Sequence, residues 1–180
     1  RIWISEIMLQ QTTVAAVLPY YRRFVRAFPT VGALAAARLD DVLAAWSGLG
    51  YYRRARHLHR AARVVVGRHG GIFPRRLADA LALPGIGRYT AGAVLSIAFS
   101  EPLPVVDGNV ARVLSRLLLL RGRQPAAHRK RLWSAAAELA GYGPPVAFLD
   151  FETSTFAVPV WAGTRPYQQT PFQFSLHSLS

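Results

Sequence analysis

Five consecutive residues, Leu83-Pro84-Gly85-Ile86-Gly87, constrain this chain more than any others. Proline pre-sets φ, and the two glycines let the backbone turn sharply and approach a ligand closely. The small, apolar run Thr90-Ala91-Gly92-Ala93-Val94-Leu95 predicts a helix reaching Phe99, with its first amides pointing back at the turn. Free amides at a helix N-terminus form a ready phosphate site. Val105-Val106-Asp107-Gly108-Asn109-Val110 then starts another helix behind a carboxylate. The plain reading is two helices around a turn, followed by an Asp N-cap. The functional reading is a backbone grip on phosphate, followed by one carboxylate presented to a nucleotide.

Charge favours the second reading. The chain has 22 Lys+Arg against 9 Asp+Glu, a formal +13, and Lys130 is its only lysine. The excess is uneven: residues 1–143 hold 21 basic and 7 acidic residues, net +14, whereas residues 144–180 carry net −1. Arginine pairs bidentately with phosphate and stays charged. A basic surface of this size supplies the salt-sensitive, sequence-independent part of DNA affinity. A basic membrane-surface protein would show an amphipathic helix with a Trp/Phe face, and none is evident. No stretch is apolar enough to span a membrane and there is no signal peptide, so the expected location is cytoplasmic, bacterial and nucleoid-associated. With no Cys, these residues offer no disulfide and no thiolate for zinc or an iron–sulfur cluster. The start at Arg1-Ile2-Trp3, without an initiator Met, reads as a fragment.

Apolar spacing predicts helices almost throughout: Ile2–Gln10, Thr13–Phe28 with Val14, Val17, Leu18, Tyr21 and Val25 on one side, a short helix capped by Thr30, Leu39–Trp46, Tyr51–Arg68, Leu77–Ala82, Gly108–Leu120 and Pro125–Ala140. Many helices with short connections predict an all-α domain. The pattern changes at Gly141-Tyr142-Gly143-Pro144-Pro145, beyond which Val146–Phe151 reads as a strand. Residues 1–143 are therefore expected to form one domain and 144–180 a heterologous segment.

Four blocks converge on one family. Ser5-Glu6-Ile7-Met8-Leu9-Gln10-Gln11-Thr12, Gly48-Leu49-Gly50-Tyr51-Tyr52, Leu83–Gly92 and Val106–Val110 resemble, in order and spacing, the adenine DNA glycosylases of the MutY type, in the helix–hairpin–helix superfamily of base-excision enzymes. The resemblance covers residues 1 to about 140. It implies an all-α helix–hairpin–helix fold of two subdomains, here incomplete, acting as a monomer on double-stranded DNA that holds adenine opposite 8-oxoguanine or guanine.

Breaking an N-glycosidic bond builds cationic character on the sugar and negative charge on the leaving base, and two carboxyl groups meet both needs. The resemblance assigns Glu6 as the acid that protonates adenine and positions water, and Asp107 as the carboxylate that stabilises the sugar cation, with Asn109 and Tyr89 beside them. An acid of this kind needs a raised pKa, which an apolar setting among Ile4, Met8 and Leu9 favours. Taken singly, Glu6 reads as a solvated helix charge and Asp107 as a cap. The enzyme must also extrude the base. Gln11 and Tyr51 match family positions that wedge beside the mispair, the amides around Gly85 and Gly87 match the phosphate grip, and the resemblance assigns Leu49 and Arg88 to DNA binding with them. Tyr51 and Tyr52 also fit core packing at a helix start. Arg53, Arg54, Arg56 and Arg60 read as phosphate contacts or as a solvated basic face.

Two rivals remain. An endonuclease III-like glycosylase/lyase needs a lysine nucleophile where this chain has Tyr89. A non-catalytic helix–hairpin–helix DNA-binding module needs neither carboxylate. The family also carries a helix before residue 1, a four-cysteine 4Fe-4S loop and a C-terminal 8-oxoguanine-reading domain, none of which lies within these residues; no cofactor is expected on this chain. Phe148-Leu149-Asp150-Phe151-Glu152-Thr153 resembles the first strand of RNase H-like exonucleases, where an Asp and a Glu two apart hold divalent metal. Gly163–Gln169 and Pro171–His177 resemble uncharacterised bacterial proteins that begin with that strand.

Overall fold

The computed structural model describes residues 1–120, 125–141, 147–155 and 169–178. The Gly143-Pro144-Pro145 junction and residues 163–168 lie outside them. The chain divides into two compact units, Arg1–Val105 and Val106–Ser180.

The first unit is helical: α1 (Ile2–Leu9), α2 (Val14–Ala27), α3 (Val31–Ala36), α4 (Leu39–Trp46), α5 (Arg53–His69), α6 (Leu77–Leu81) and α7 (Arg88–Phe99). Threonines start two of them. Thr13 accepts from the Ala16 amide at 3.4 Å and Thr30 from the Ala33 amide at 3.0 Å, each satisfying an orphan donor of a first turn. Between them α2 buries Val17 and Phe24. Val14 and Leu18, expected on its inner face, are exposed. The inner stripe instead runs through Val17, Tyr20, Tyr21 and Phe24 to Phe28, at i, i+3 and i+4 spacing that Phe24 dictates by filling the core.

That core centres on Trp46, Phe24, Met8, Leu34, Leu58 and Leu95, all fully buried. Phe24 stands edge-on to Trp46 at 5.6 Å and to Phe28 at 5.0 Å between ring centres, the arrangement that ring quadrupoles favour. Truncating one such ring to Ala would cost about 3–5 kcal/mol. His59 is buried as well, its Nε2 donating to the Ala37 carbonyl at 3.0 Å, which ties α5 to the end of α3.

Several helix ends differ from expectation by one to three residues. Helix α1 stops at Leu9 because Gln11 turns left-handed, φ 58°. Helix α5 starts at Arg53 because Tyr51 is left-handed, φ 49°, and so cannot be its first residue.

In the second unit, α8 (Gly108–Leu117) and α9 (Pro125–Ala140) meet through Leu114, Leu132 and Ala136, with Val106, Val110 and Leu118 around them. Helix α8 ends three residues early, before Leu119 at φ 49°. Strands β1 (Ala147–Thr155) and β2 (Gln169–Ser178) pair antiparallel, Phe151 opposite Phe174. The expected strand is thus present and runs four residues further. Its register slips between Glu152 and Thr153, where Thr153 faces Pro171, a residue with no N–H for the ladder.

Helix α7 approaches the chain behind it closely: a Cβ on Gly92 would lie 2.5 Å from the Pro104 carbonyl oxygen. Alanine at 92 gains up to about 1 kcal/mol of helix propensity, but overpacking against backbone costs about 1–3 kcal/mol. Gly92→Ala is therefore expected to lower the urea midpoint at unchanged m-value; a higher midpoint would show that the backbone there yields freely.

Candidate active site and nucleic-acid interface

The hairpin forms as the turn residues predict. Leu83 and Ile86 are buried, anchoring it from below, and the Ile86 amide donates to the Leu83 carbonyl at 3.1 Å. Gly85 adopts φ 78°, and a Cβ there would fall 2.6 Å from His57 Cβ on α5. Only glycine meets both demands. Gly87 caps α7 with extended backbone and no side chain, and nothing would obstruct a Cβ there within 4 Å. The first amides of α7 thus open toward an unobstructed N-terminus flanked by exposed Arg88 and Tyr89.

Beside the hairpin lies a cleft of about 700 Å³ lined by Gln10, Gln11, Tyr51, His57 and Gly85 among others. Gln11 and Tyr51 are exposed and both left-handed, an uncommon conformation for residues of their size. Tyr51 and Tyr52, at 63% and 42% exposure, are not core residues. Leu49 is: it is 8% exposed, packs with the core cluster and does not line the cleft. Burial and then the neighbouring Arg53 and Arg60 charges lower the pKa of His57 below the usual imidazole value.

Arg54 turns inward. Its Nη1 donates to the carbonyls of Ile7, Met8 and Gln10 at 3.1, 2.8 and 2.6 Å, and its Nη2 to Gly50 at 3.4 Å. Its guanidinium carbon sits 5.5 Å from the Trp46 ring centre and 5.3 Å from that of Tyr51. The reading of Arg54 as a phosphate contact or solvated charge is corrected: it satisfies the orphan carbonyls at the end of α1, where a cation is also favoured by the helix dipole. Leu9, the last residue of α1, is met by the Thr12 amide at 3.2 Å. Gln10 in turn donates to the buried Thr90 hydroxyl at 3.3 Å, linking α1 to α7.

This framework fixes Glu6 on α1, half-buried next to Ile7 and Met8. Desolvation raises its pKa above the ordinary carboxyl value, as an acid catalyst requires. Among the described residues no donor bonds its carboxyl, so nothing stabilises the anion in place. In the second unit Asp107 caps α8, its Oδ1 accepting from the Val110 amide at 2.7 Å. Asn109 is exposed and its Oδ1 accepts from Arg112.

Residues 4–138 match the HhH-GPD superfamily of base excision DNA repair proteins. The chain belongs to that family. Adenine DNA glycosylase of Buchnera aphidicola (subsp. Acyrthosiphon pisum) is 46% identical over 134 residues, covering 74% of this chain and 38% of the relative. The human adenine DNA glycosylase is 48% identical over 151 residues, covering 82% and 27%. The chain spans roughly a third of the length of the curated relatives it matches. Among solved structures, a thermostable thymine-DNA glycosylase is 30% identical with TM-score 0.65, covering 76% of this chain and 64% of that one. Endonuclease III trapped covalently on DNA is 27% identical with TM-score 0.65, covering 76% and 68%. Residues 147–180 match a domain of unknown function, DUF2779. The 4Fe-4S cluster that the family resemblance implies finds no thiolate among these 180 residues, so the residues present do not fit it.

Within the cleft, the inward turn of Arg54 is the feature that its sequence context concealed most. Its helical phase carried the signal, since Arg54 shares the i, i+4, i+7, i+11 face of Leu58, Ala61 and Val65, all buried.

Arg54→Met keeps the stem but orphans the carbonyls of Ile7, Met8 and Gln10, and is expected to cost at least about 3 kcal/mol at 1–3 kcal/mol per unmet buried group, read from chemical denaturation. For Glu6 the sign is the reverse. A raised folded pKa means that the folded chain holds a proton the unfolded chain has released, so stability falls as pH rises between the two values. Glu6→Gln is expected to melt above the wild type at pH 7, with the gap closing below about pH 4. Equal melting at both pH values would contradict the burial of this carboxyl.

Proposed function

We propose that this chain is the catalytic part of a monofunctional adenine DNA glycosylase, hydrolysing the N-glycosidic bond of adenine opposite 8-oxoguanine or guanine in duplex DNA. The observation that carries the reading is Glu6: a half-buried carboxyl of raised pKa on a helix whose end is tied to the cleft-lining residues. Identities of 46–48% to enzymes named adenine DNA glycosylase support it.

In this reading Glu6 delivers its proton to the departing adenine and then orients water. The Oδ2 atom of Asp107, which has no hydrogen bond among the described residues, faces the developing sugar cation, while Oδ1 remains committed to the cap. Tyr89 stands where a lyase keeps its lysine. A phenol forms no imine, and Lys130, the only lysine, lies on α9. Gln11 and Tyr51 fill beside the extruded base, and the α7 amides hold a phosphate. Residues 147–180 are then the start of a second domain, unrelated to base excision.

Single-turnover release of adenine from an adenine:8-oxoguanine duplex tests this. Glu6→Gln should lower the rate by about 10²–10⁴-fold, the size of a general acid's contribution, and Asp107→Asn by about 10²–10³-fold, that of one electrostatic stabiliser, while duplex binding persists. Borohydride should trap no adduct; a strong covalent adduct on abasic DNA would overturn the monofunctional assignment. At the hairpin, Gly87→Asp suits the cap position and clears its surroundings, yet puts a carboxylate where phosphate should sit. It should keep the wild-type melting temperature and weaken binding to every duplex; normal binding would make the hairpin a structural turn only.

A further inference from the structure

Helix α5 carries six arginines and three histidines and no acidic residue. Its two faces differ sharply. Ala55, Leu58, Ala61, Ala62 and Val65 are buried and form the inner side. Arg53, Arg56, Arg60 and Arg63 are all exposed and, at spacings of three, four and three, fall within about 80° of helix circumference at 3.6 residues per turn. None of the four is in an ion pair among the described residues, where the salt bridges are Arg38–Asp40 and Arg76–Asp79. Four unneutralised guanidinium groups on one stripe repel one another, so the stripe lowers the stability of the free chain and rewards an anionic partner.

The stripe's position indicates which partner. Its first member, Arg53, lines the cleft with Gln11, Tyr51 and Gly85, and the stripe leads away from there along the helix. Ten residues of α-helix span about 15 Å, which faces roughly four phosphates of one strand at 3.4 Å of axis per charge. His57, one turn beyond Arg53 and packed on Gly85, joins the stripe to the hairpin. We infer that Arg56, Arg60 and Arg63 form, with Arg53, a backbone-tracking surface that holds duplex DNA beyond the cleft through phosphates rather than bases. It rests on the reading of the cleft as a DNA site. It adds that this helix supplies a sequence-independent share of the grip, to which the chemistry of adenine release contributes nothing.

The test is the salt dependence of affinity for an undamaged duplex with no mispair, measured on the full chain. Replacing Arg56, Arg60 and Arg63 by Gln keeps helix propensity and is expected to reduce the slope of log K against log salt by about 2–3, at roughly 0.9 for each phosphate no longer neutralised. The corresponding triple Lys variant should keep the wild-type slope. Should the triple Gln variant not fold, Arg56→Gln, Arg60→Gln and Arg63→Gln singly should each remove about one unit. A wild-type slope in the Gln variants, or an equal fall in the Lys variant, overturns the inference. A wild-type chain that binds duplex with the expected slope but releases no adenine would sink the glycosylase reading and leave this surface standing.

Discussion

A guanidinium that bonds only to backbone carbonyls organises the cleft. Arg54 lies between the end of α1 and the segment before α5, holding Ile7, Met8, Gln10 and Gly50 while its plane covers Trp46 and Tyr51. No carboxylate opposes it in these contacts; carbonyl dipoles and ring faces do the compensating, which a planar fork with five donors can exploit and an ammonium cannot. The dependence on it is strong because α1 has eight residues, too few for a helix to persist in water unaided. What keeps α1 in place is burial of Trp3, Ile7 and Met8 at one flank and this arginine at its end. Glu6 inherits its position from both.

The two carboxylates are held by contrasting means. Glu6 is shaped by what is missing around it: water is partly excluded and no donor reaches its oxygens among the described residues, so protonation is favoured. Asp107 is shaped by what is present, a 2.7 Å bond to the Val110 amide that anchors one oxygen and locks the carboxylate's direction. The cap and the functional reading of Asp107 are therefore not competitors, since the cap fixes the carboxylate in place.

Much of this was legible in the sequence, and the reasons differ by element. The Leu83–Gly87 turn could be read because Pro and Gly specify backbone angles locally, and the Thr30 cap because its bond spans three residues. The inner face of α2 was misjudged because Val14 and Leu18 have the same hydropathy as core residues; only the contacts of Phe24 with Trp46 and Phe28 decide the phase. Leu49 matched a DNA-facing position yet packs inward, since one apolar residue between glycines does not reveal which way its loop folds. Arg54 escaped for a related reason: among six arginines on one helix, only its phase against Leu58 and Val65 distinguishes it. The pairing partners of β1 depended on a segment some twenty residues away, beyond any local signal.

The left-handed backbone at Gln11 and Tyr51 narrows what chemistry those two positions can ever carry. At φ near 50–58°, β-branched side chains are strained, whereas Asn, Asp and Gly sit at small cost. Valine, isoleucine and threonine are thus filtered out by the local peptide geometry before any ligand is met. The side chains open to variation at these two cleft positions are set first by Ramachandran sterics, and only afterwards by whatever the cleft receives.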